Sequence, residues 1–242
     1  MREQLETLHT EGLDIDLLVI VDNHEIRLDW HHLNPRIKYM DQNHPGEANS
    51  YARRQRIADI MNLARTFTPS DSDYVFILED DTELKPHYLR NLFGSFITGT
   101  KNDTQETTGL ISGIQAGRWA SSMLGIWKTD NIENPTVWET LPLPNQKYSP
   151  LKKVDATGIY CTLVHAHLFR DTPFHCTYQG PDVNFGLDIR RKGYQNYINQ
   201  KLLCGHATRT KTLWPTPETG TIKFIRDDTA PGGWKQVEVV LT

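Results

Sequence analysis

YVFILEDDTELKP, residues Tyr74–Pro86, is the stretch on which the reading of this chain turns. Five apolar residues run straight into Glu79, Asp80 and Asp81, and Pro86 follows as a helix-starting residue. An apolar run without polar alternation suits a strand covered on both faces of a sheet. Three carboxylates at its end repel one another unless something positive sits beside them, whether a metal ion, a basic partner or open water.

The flanking sequence sets this strand in an α/β frame. DIDLLVIVDN, with the apolar run Leu17 to Val21 ending in Asp22 and Asn23, reads as another buried strand, preceded by a short helix over residues 2–11. From Ser50 to about Phe67, Ile57, Ile60, Met61 and Ala64 recur at helical spacing, with Ser50 as N-cap and Pro69 just beyond the end. After the Tyr74–Leu78 strand, Leu89, Leu92, Phe93 and Phe96 define the apolar face of a further helix. Strand, helix, strand, helix is the opening of a doubly wound domain with a mostly parallel sheet.

Beyond residue 108, TGLISGIQAG and ATGIYCTLVHAHLF read as strands on either side of a proline-rich loop. A helix over 182–192 ends at Gly193, and YQNYI, KLLCGH and the terminal KQVEVVLT follow as β segments. No repeat or linker divides the chain, so one domain is expected over 1–242. Its nucleotide-binding part would be about 1–107 with 236–242, and its acceptor-binding part about 108–235.

Bulk properties exclude several classes. The 242 residues are 38% hydrophobic, 10% aromatic and 23% charged, an ordinary folded composition, and a net charge of −4 gives no general pull toward nucleic acid or anionic membrane. Arg53, Arg54 and Arg56 form a local basic cluster, as do Arg190, Arg191 and Lys192. The polar N-terminus does not read as a signal peptide, and no apolar run reaches the length of a membrane span. Cys161, Cys176 and Cys204 are widely spaced and odd in number, which favours reduced, buried thiols over a disulfide or zinc framework and the cytoplasm as location.

Ligands of open parallel sheets bind at the carboxyl ends of strands, where Asp22 and the Glu79–Asp81 acids would lie. A hard cation takes one or two carboxylates there and completes its shell with substrate phosphate oxygens. Each residue also has a structural reading: strand-end acids and Asp182 as helix caps, and His206 as a packed core histidine.

In chain order these segments resemble nucleotide-sugar glycosyltransferases of the GT-A fold, inverting type, over roughly residues 10–210. YVFILEDD is similar to the family's DxD metal-binding segment, and ANSYARRQRIADIMNLA to the helix before it. TGLISG and VDATGIYCTLVHAHLF resemble the intervening strand pair, GPDVNFGLDIRRKGY the GEDxxFxxRxxxxGY segment, and LLCGH the strand that ends in a metal-binding histidine. The resemblance implies a Rossmann-like domain that moves a sugar from a nucleotide diphosphate sugar, expected to be a UDP-sugar, to an acceptor hydroxyl. Asp81 and His206 would then hold Mn2+ or Mg2+, with Glu79 and Asp80 near ribose and phosphates. Asp22 and Arg53 would hold the nucleotide, and Asp182 would be the general base of an inverting transfer. A glycan, a small molecule, a protein or a hydroxymethylated DNA base could accept the sugar, although the net charge does not point to nucleic acid.

Two departures from the family pattern stand out. Pro181 occupies the position where the family carries Glu, and the family's first strand has no counterpart before residues 2–11. The terminal QVEVVLT resembles that missing strand. A circular permutation would place Val237–Leu241 beside Leu17–Val21, whereas a truncation would leave it as an edge strand. A nucleotidyltransferase is the alternative enzyme, disfavoured by the lack of a Gly-rich phosphate loop. A non-catalytic nucleotide-binding module is the other alternative, disfavoured because Asp81, Asp182 and His206 are all kept.

Overall fold

The structure, a computed structural model, describes residues 16, 18–21, 36–39, 50–102, 107–117, 120–141, 150–177, 179–216, 220–230 and 233–241. The expected helix over 2–11 and Asp22 lie outside the described residues.

The elements around the opening stretch form where the sequence places them. Helix α1 spans Ser50–Phe67, strand β3 Tyr74–Leu78 and helix α2 Tyr88–Asn102, preceded in the chain by β1 (Leu18–Val21) and β2 (Arg36–Tyr39). Leu89, Leu92 and Phe96 of α2 are buried, as their spacing requires. Downstream lie β4 (Thr82–Glu83), β5 (Thr108–Gly117), β6 (Ala120–Leu124), β7 (Ile126–Thr129), β8 (Val137–Thr140), β9 (Leu151–Val154), β10 (Ala156–Thr157) and β11 (Cys161–His165). Helices α3 (Ala166–Asp171) and α4 (Pro181–Arg191) follow, then β12 (Gln195–Ala207), β13 (Thr212–Leu213), β14 (Gly220–Arg226) and β15 (Trp234–Leu241).

The main sheet runs β13-β12-β5-β11-β3, with β4 and β9 on β12 and β6 on β5. Strand β5 is buried from Thr108 to Ala116 because helices cover both of its faces. Ile111 packs with Leu92 and Phe96 of α2, whereas Leu110 packs with Ala58 of α1 and with Phe185 and Ile189 of α4. At Gly113 a Cβ would fall 1.3 Å from the Tyr88 hydroxyl, which donates to the Leu202 carbonyl at 3.2 Å. Only glycine lets α2 come this close to the sheet.

Most strand pairs are antiparallel, which corrects the expectation of a mostly parallel sheet. Among the described residues only β1 with β2 and β5 with β12 pair in parallel. The reason lies at β11, which Tyr160 and Cys161 lead in between β3 and β5 and which runs antiparallel to both. Those two reversals restore the direction, so β3, β5 and β12 all point the same way. The separate YQNYI and KLLCGH segments are one strand, β12, with register shifts against β5 between Ile198 and Leu203.

A second, antiparallel sheet runs β10-β7-β8-β14-β15. It packs against α4 through Trp138, Ala156, Val183 and Leu187. The expectation that Val237–Leu241 lies beside Leu17–Val21 is corrected here, because β15 forms a hairpin with β14, with Ile222 opposite Val239 and Gly220 opposite Leu241. A turn of a few residues closes this hairpin, fastened by Asp227 N–H to the Gly233 carbonyl at 3.0 Å. Pairing across so short a loop costs far less entropy than returning the tail to a strand more than two hundred residues away. No helix among the described residues is long and apolar enough to cross a membrane.

Candidate functional site

Because β3, β5 and β12 share one direction, their carboxyl ends meet along one edge of the main sheet. The chain leaves β3 at Glu79, whose N–H donates to the Tyr160 carbonyl at 3.1 Å, and turns as Thr82 N–H donates to the Glu79 carbonyl at 3.2 Å. Strand β4 then pairs with the end of β12, Thr82 opposite His206 and Glu83 opposite Gly205, while Ala207 N–H donates to the Asp81 carbonyl at 2.7 Å. Buried Gln115, at the end of β5, ties the three strands together. Its Nε2 donates to Thr82 Oγ1 at 2.9 Å and to the Gly205 carbonyl at 3.2 Å, and its N–H donates to the Tyr160 hydroxyl at 3.1 Å. The acidic turn is thus held in register with His206, 125 positions later in the chain.

His206 is buried, 5% exposed. Its Nδ1 lies 2.8 Å from the Ala116 carbonyl, an acceptor, so Nδ1 carries a proton. Nε2 then faces Asp81 Oδ2 at 3.2 Å. In neutral imidazole that nitrogen offers a lone pair to a carboxylate, two acceptors face to face. The contact is favourable if His206 is protonated or a cation lies against both groups. A backbone-anchored Nδ1–H with Nε2 turned to a carboxylate is the orientation a metal-ligating histidine takes. Imidazole and carboxylate together suit Mn2+ better than Mg2+, which prefers oxygen alone. Among the described residues, no group of three or more His, Cys, Asp or Glu side chains converges as a metal site. A cation at Asp81 and His206 would need the remainder of its shell from substrate oxygens and water.

The surroundings of these acids are electrostatically unfavourable to negative charge. Burial, followed by the carboxylates of Asp81, Asp182 and Asp80, pushes Glu79 up to about 8, eased by Arg53. Burial also raises Asp81, opposed by His206, with Asp80 raising it further and Arg53 lowering it. The field of Asp182 at Glu79 brings the second sequence motif to the same site. Asp182 stands in the first turn of α4, where burial pushes it up to about 6 although its own N–H and that of Val183 donate to it. Gly180 precedes the helix with φ +106, and a Cβ there would lie 2.8 Å from Asp182 Oδ1. Glycine is required both for the backbone and for the space.

Of the residues named from sequence, Asp81 and His206 are in direct contact, Glu79, Asp80 and Arg53 lie within electrostatic reach of Asp81, and Asp182 within reach of Glu79. Asp22 lies outside the described residues. Arg54 emerges as the cation that lowers Asp182, a role its place in the basic cluster did not distinguish. Gln115, Thr82, Tyr160 and the Ala116 carbonyl carry no sequence signal at all, because their function comes from strand register alone.

No protein-family model and no curated protein matches this sequence. Among solved structures the chain is similar to one titled "Crystal Structure of A197 from STIV", with 12% identity over 83% of this chain and 91% of that chain and a TM-score of 0.47. So distant a likeness assigns neither fold family nor activity.

Proposed function

We propose that this protein is a metal-dependent glycosyltransferase of GT-A type that uses a nucleotide diphosphate sugar, with a UDP-sugar as the expected donor. The observation that carries the reading is the Asp81–His206 pair. Its histidine tautomer is set by Ala116, and it sits at the strand ends beside Arg53.

In this reading Asp81 Oδ2 and His206 Nε2 hold Mn2+, which supplies charge stabilisation for the departing diphosphate. Arg53 offsets the remaining negative charge of donor and acids. Glu79, raised to about 8 in the ligand-free site, can enter protonated and donate a hydrogen bond to the donor where an ionised carboxylate would repel its phosphates. Asp182 accepts the proton from the acceptor hydroxyl. An acid raised to about 6 is a stronger base than an ordinary aspartate and is still mostly ionised at neutral pH. Proton removal by a separately held carboxylate is consistent with inversion.

A thermal-shift series with UDP, other nucleotide diphosphates and Mn2+ tests the reading through the linkage of binding to folding. Stabilisation by UDP only with Mn2+ is expected, and no shift with any nucleotide sinks the proposal. A shift without sugar transfer to any acceptor would favour the non-catalytic binding module.

A further inference from the structure

On the flank of α4 turned away from Asp182, a cleft of about 330 Å3 opens between the helix and the second sheet. Asn184, Leu187 and Arg191 face it, spaced three and four apart along one stripe of α4. Asp182 precedes Asn184 by two residues, which puts it about 160° around the helix. The cleft is therefore separate from the acidic site.

Two indoles border it: Trp138 of β8, only 1% exposed and so covered by its neighbours, and Trp234 of β15, which is half-buried. Both N–H groups can only donate, so the Gln179 amide is oriented with Oε1 toward them, accepting at 3.0 Å and 2.8 Å, while its nitrogen donates to Thr177 Oγ1 at 3.1 Å. With its polar atom engaged internally, Trp234 presents only ring carbon to the cleft. Because Trp138 is covered, a planar base cannot be sandwiched between the two indoles, whereas the C–H face of a sugar ring can rest on Trp234.

Two arginines supply positive charge, Arg191 from α4 and Arg226 from β14, the latter directly across from Trp234 in the β14–β15 register. Arg191 is anchored by Asp188 at 2.8 Å and by the Ile132 carbonyl at 3.1 Å. Arg226 contacts Asn134 Oδ1 at 3.2 Å and Asp228 Oδ1 at 3.1 Å. That ion pair is open to water, 48% and 82% exposed for the two side chains, so it is weak and readily exchanged for another anion.

From these features we propose that the cleft binds a small carbohydrate bearing one anionic group. The ring lies on Trp234, and the anion displaces Asp228 from the neighbouring Arg226. The freed Asp228 and the neighbouring amides then pair with hydroxyls. The volume is in the range of small-ligand sites. A carboxylate and a phosphate satisfy the same guanidinium chemistry, so the test uses both.

Isothermal titration and tryptophan fluorescence would use glucuronate, glucose 6-phosphate, methyl glucoside and inorganic phosphate, without UDP or Mn2+. Glucuronate or glucose 6-phosphate should bind and perturb the fluorescence, and methyl glucoside and phosphate should each bind at least about tenfold more weakly. The tighter of the two anionic sugars identifies the group recognised. Arg226→Ala should weaken binding by roughly tenfold with an unchanged melting temperature, Arg226→Lys should recover part of it, and Asp228→Asn should tighten it by removing the competing carboxylate. Asp182→Asn should leave it unchanged. The proposal is overturned if neither anionic sugar binds, if phosphate alone binds as tightly as glucose 6-phosphate, if Arg226→Ala has no effect, or if Asp182→Asn abolishes binding.

Discussion

Two turns of this protein carry aspartates at the ends of strands, and they treat the charge in opposite ways. Asp130 follows β7 in an exposed loop and accepts from the backbone N–H groups of Thr136 and Val137 at 2.9 and 2.8 Å and from the hydroxyls of Thr136 and Thr129. These donors hold it well below the usual carboxylate range, although its slight burial acts the other way. Asp81 and Glu79 follow β3, and burial and neighbouring carboxylates push both upward. A structural acid brings its own donors. The β3 acids gather like charges around one buried histidine and Arg53, a surplus that the proposed cation would offset.

The contrast can be broken most sharply at Asp182. If the β3 edge is a transfer site, Asp182→Asn lowers sugar transfer by roughly a hundredfold to ten-thousandfold while the UDP–Mn2+ thermal shift persists. Loss of both together would make Asp182 a structural or donor-binding residue. The wild-type rate should rise with pH through about 6 and level off above it, as Asp182 loses its proton.

At the cation pair the expected effect is smaller. His206→Asn can keep an N–H toward the Ala116 carbonyl but removes Nε2, and should weaken Mn2+-dependent UDP binding by roughly tenfold or more, read as a reduced thermal shift at fixed ligand concentration. Retention of the full shift would leave the pair an ordinary ion pair.

The pH dependence of stability separates the two turns directly. Glu79 ordinarily titrates near 4.5 and in the fold near 8, so the unfolded chain releases its proton first and the ligand-free fold loses stability as pH rises between those values. A loss of roughly 2 kcal/mol from pH 5 to 8 is expected, discounted for partial solvation, and Glu79→Gln should flatten it. Asp130 has the opposite sign. Its folded value is lowered, so its contribution is fully present above the unfolded value near 3.8 and is lost only in stronger acid. Asp130→Ala should cost about 1 kcal/mol, nearly constant from pH 5 to 8, with transfer unchanged. A large effect of Asp130→Ala on transfer would break the distinction between the turns.

The sequence alone determined the local elements and the kind of chemistry on offer. Apolar runs and helical spacing specify β3, α1 and α2, because side-chain periodicity and capping act over a few residues. The acids after β3, Asp182 at the start of α4 and His206 at the end of a strand were legible as single residues, each with a bland alternative. Only the tertiary structure decided which of them meet. Strand β11 runs antiparallel between β3 and β5, and β5 runs parallel to β12, so Asp81 and His206 meet at one edge, with Gln115 holding the turn and the Ala116 carbonyl anchoring the imidazole. It also sent the C-terminal segment into a hairpin with β14, although its apolar pattern suited a central strand equally well. Apolar alternation says that a strand has a buried face but not which partner covers it. Register and pairing are settled by long-range packing and by the entropy of the connecting chain.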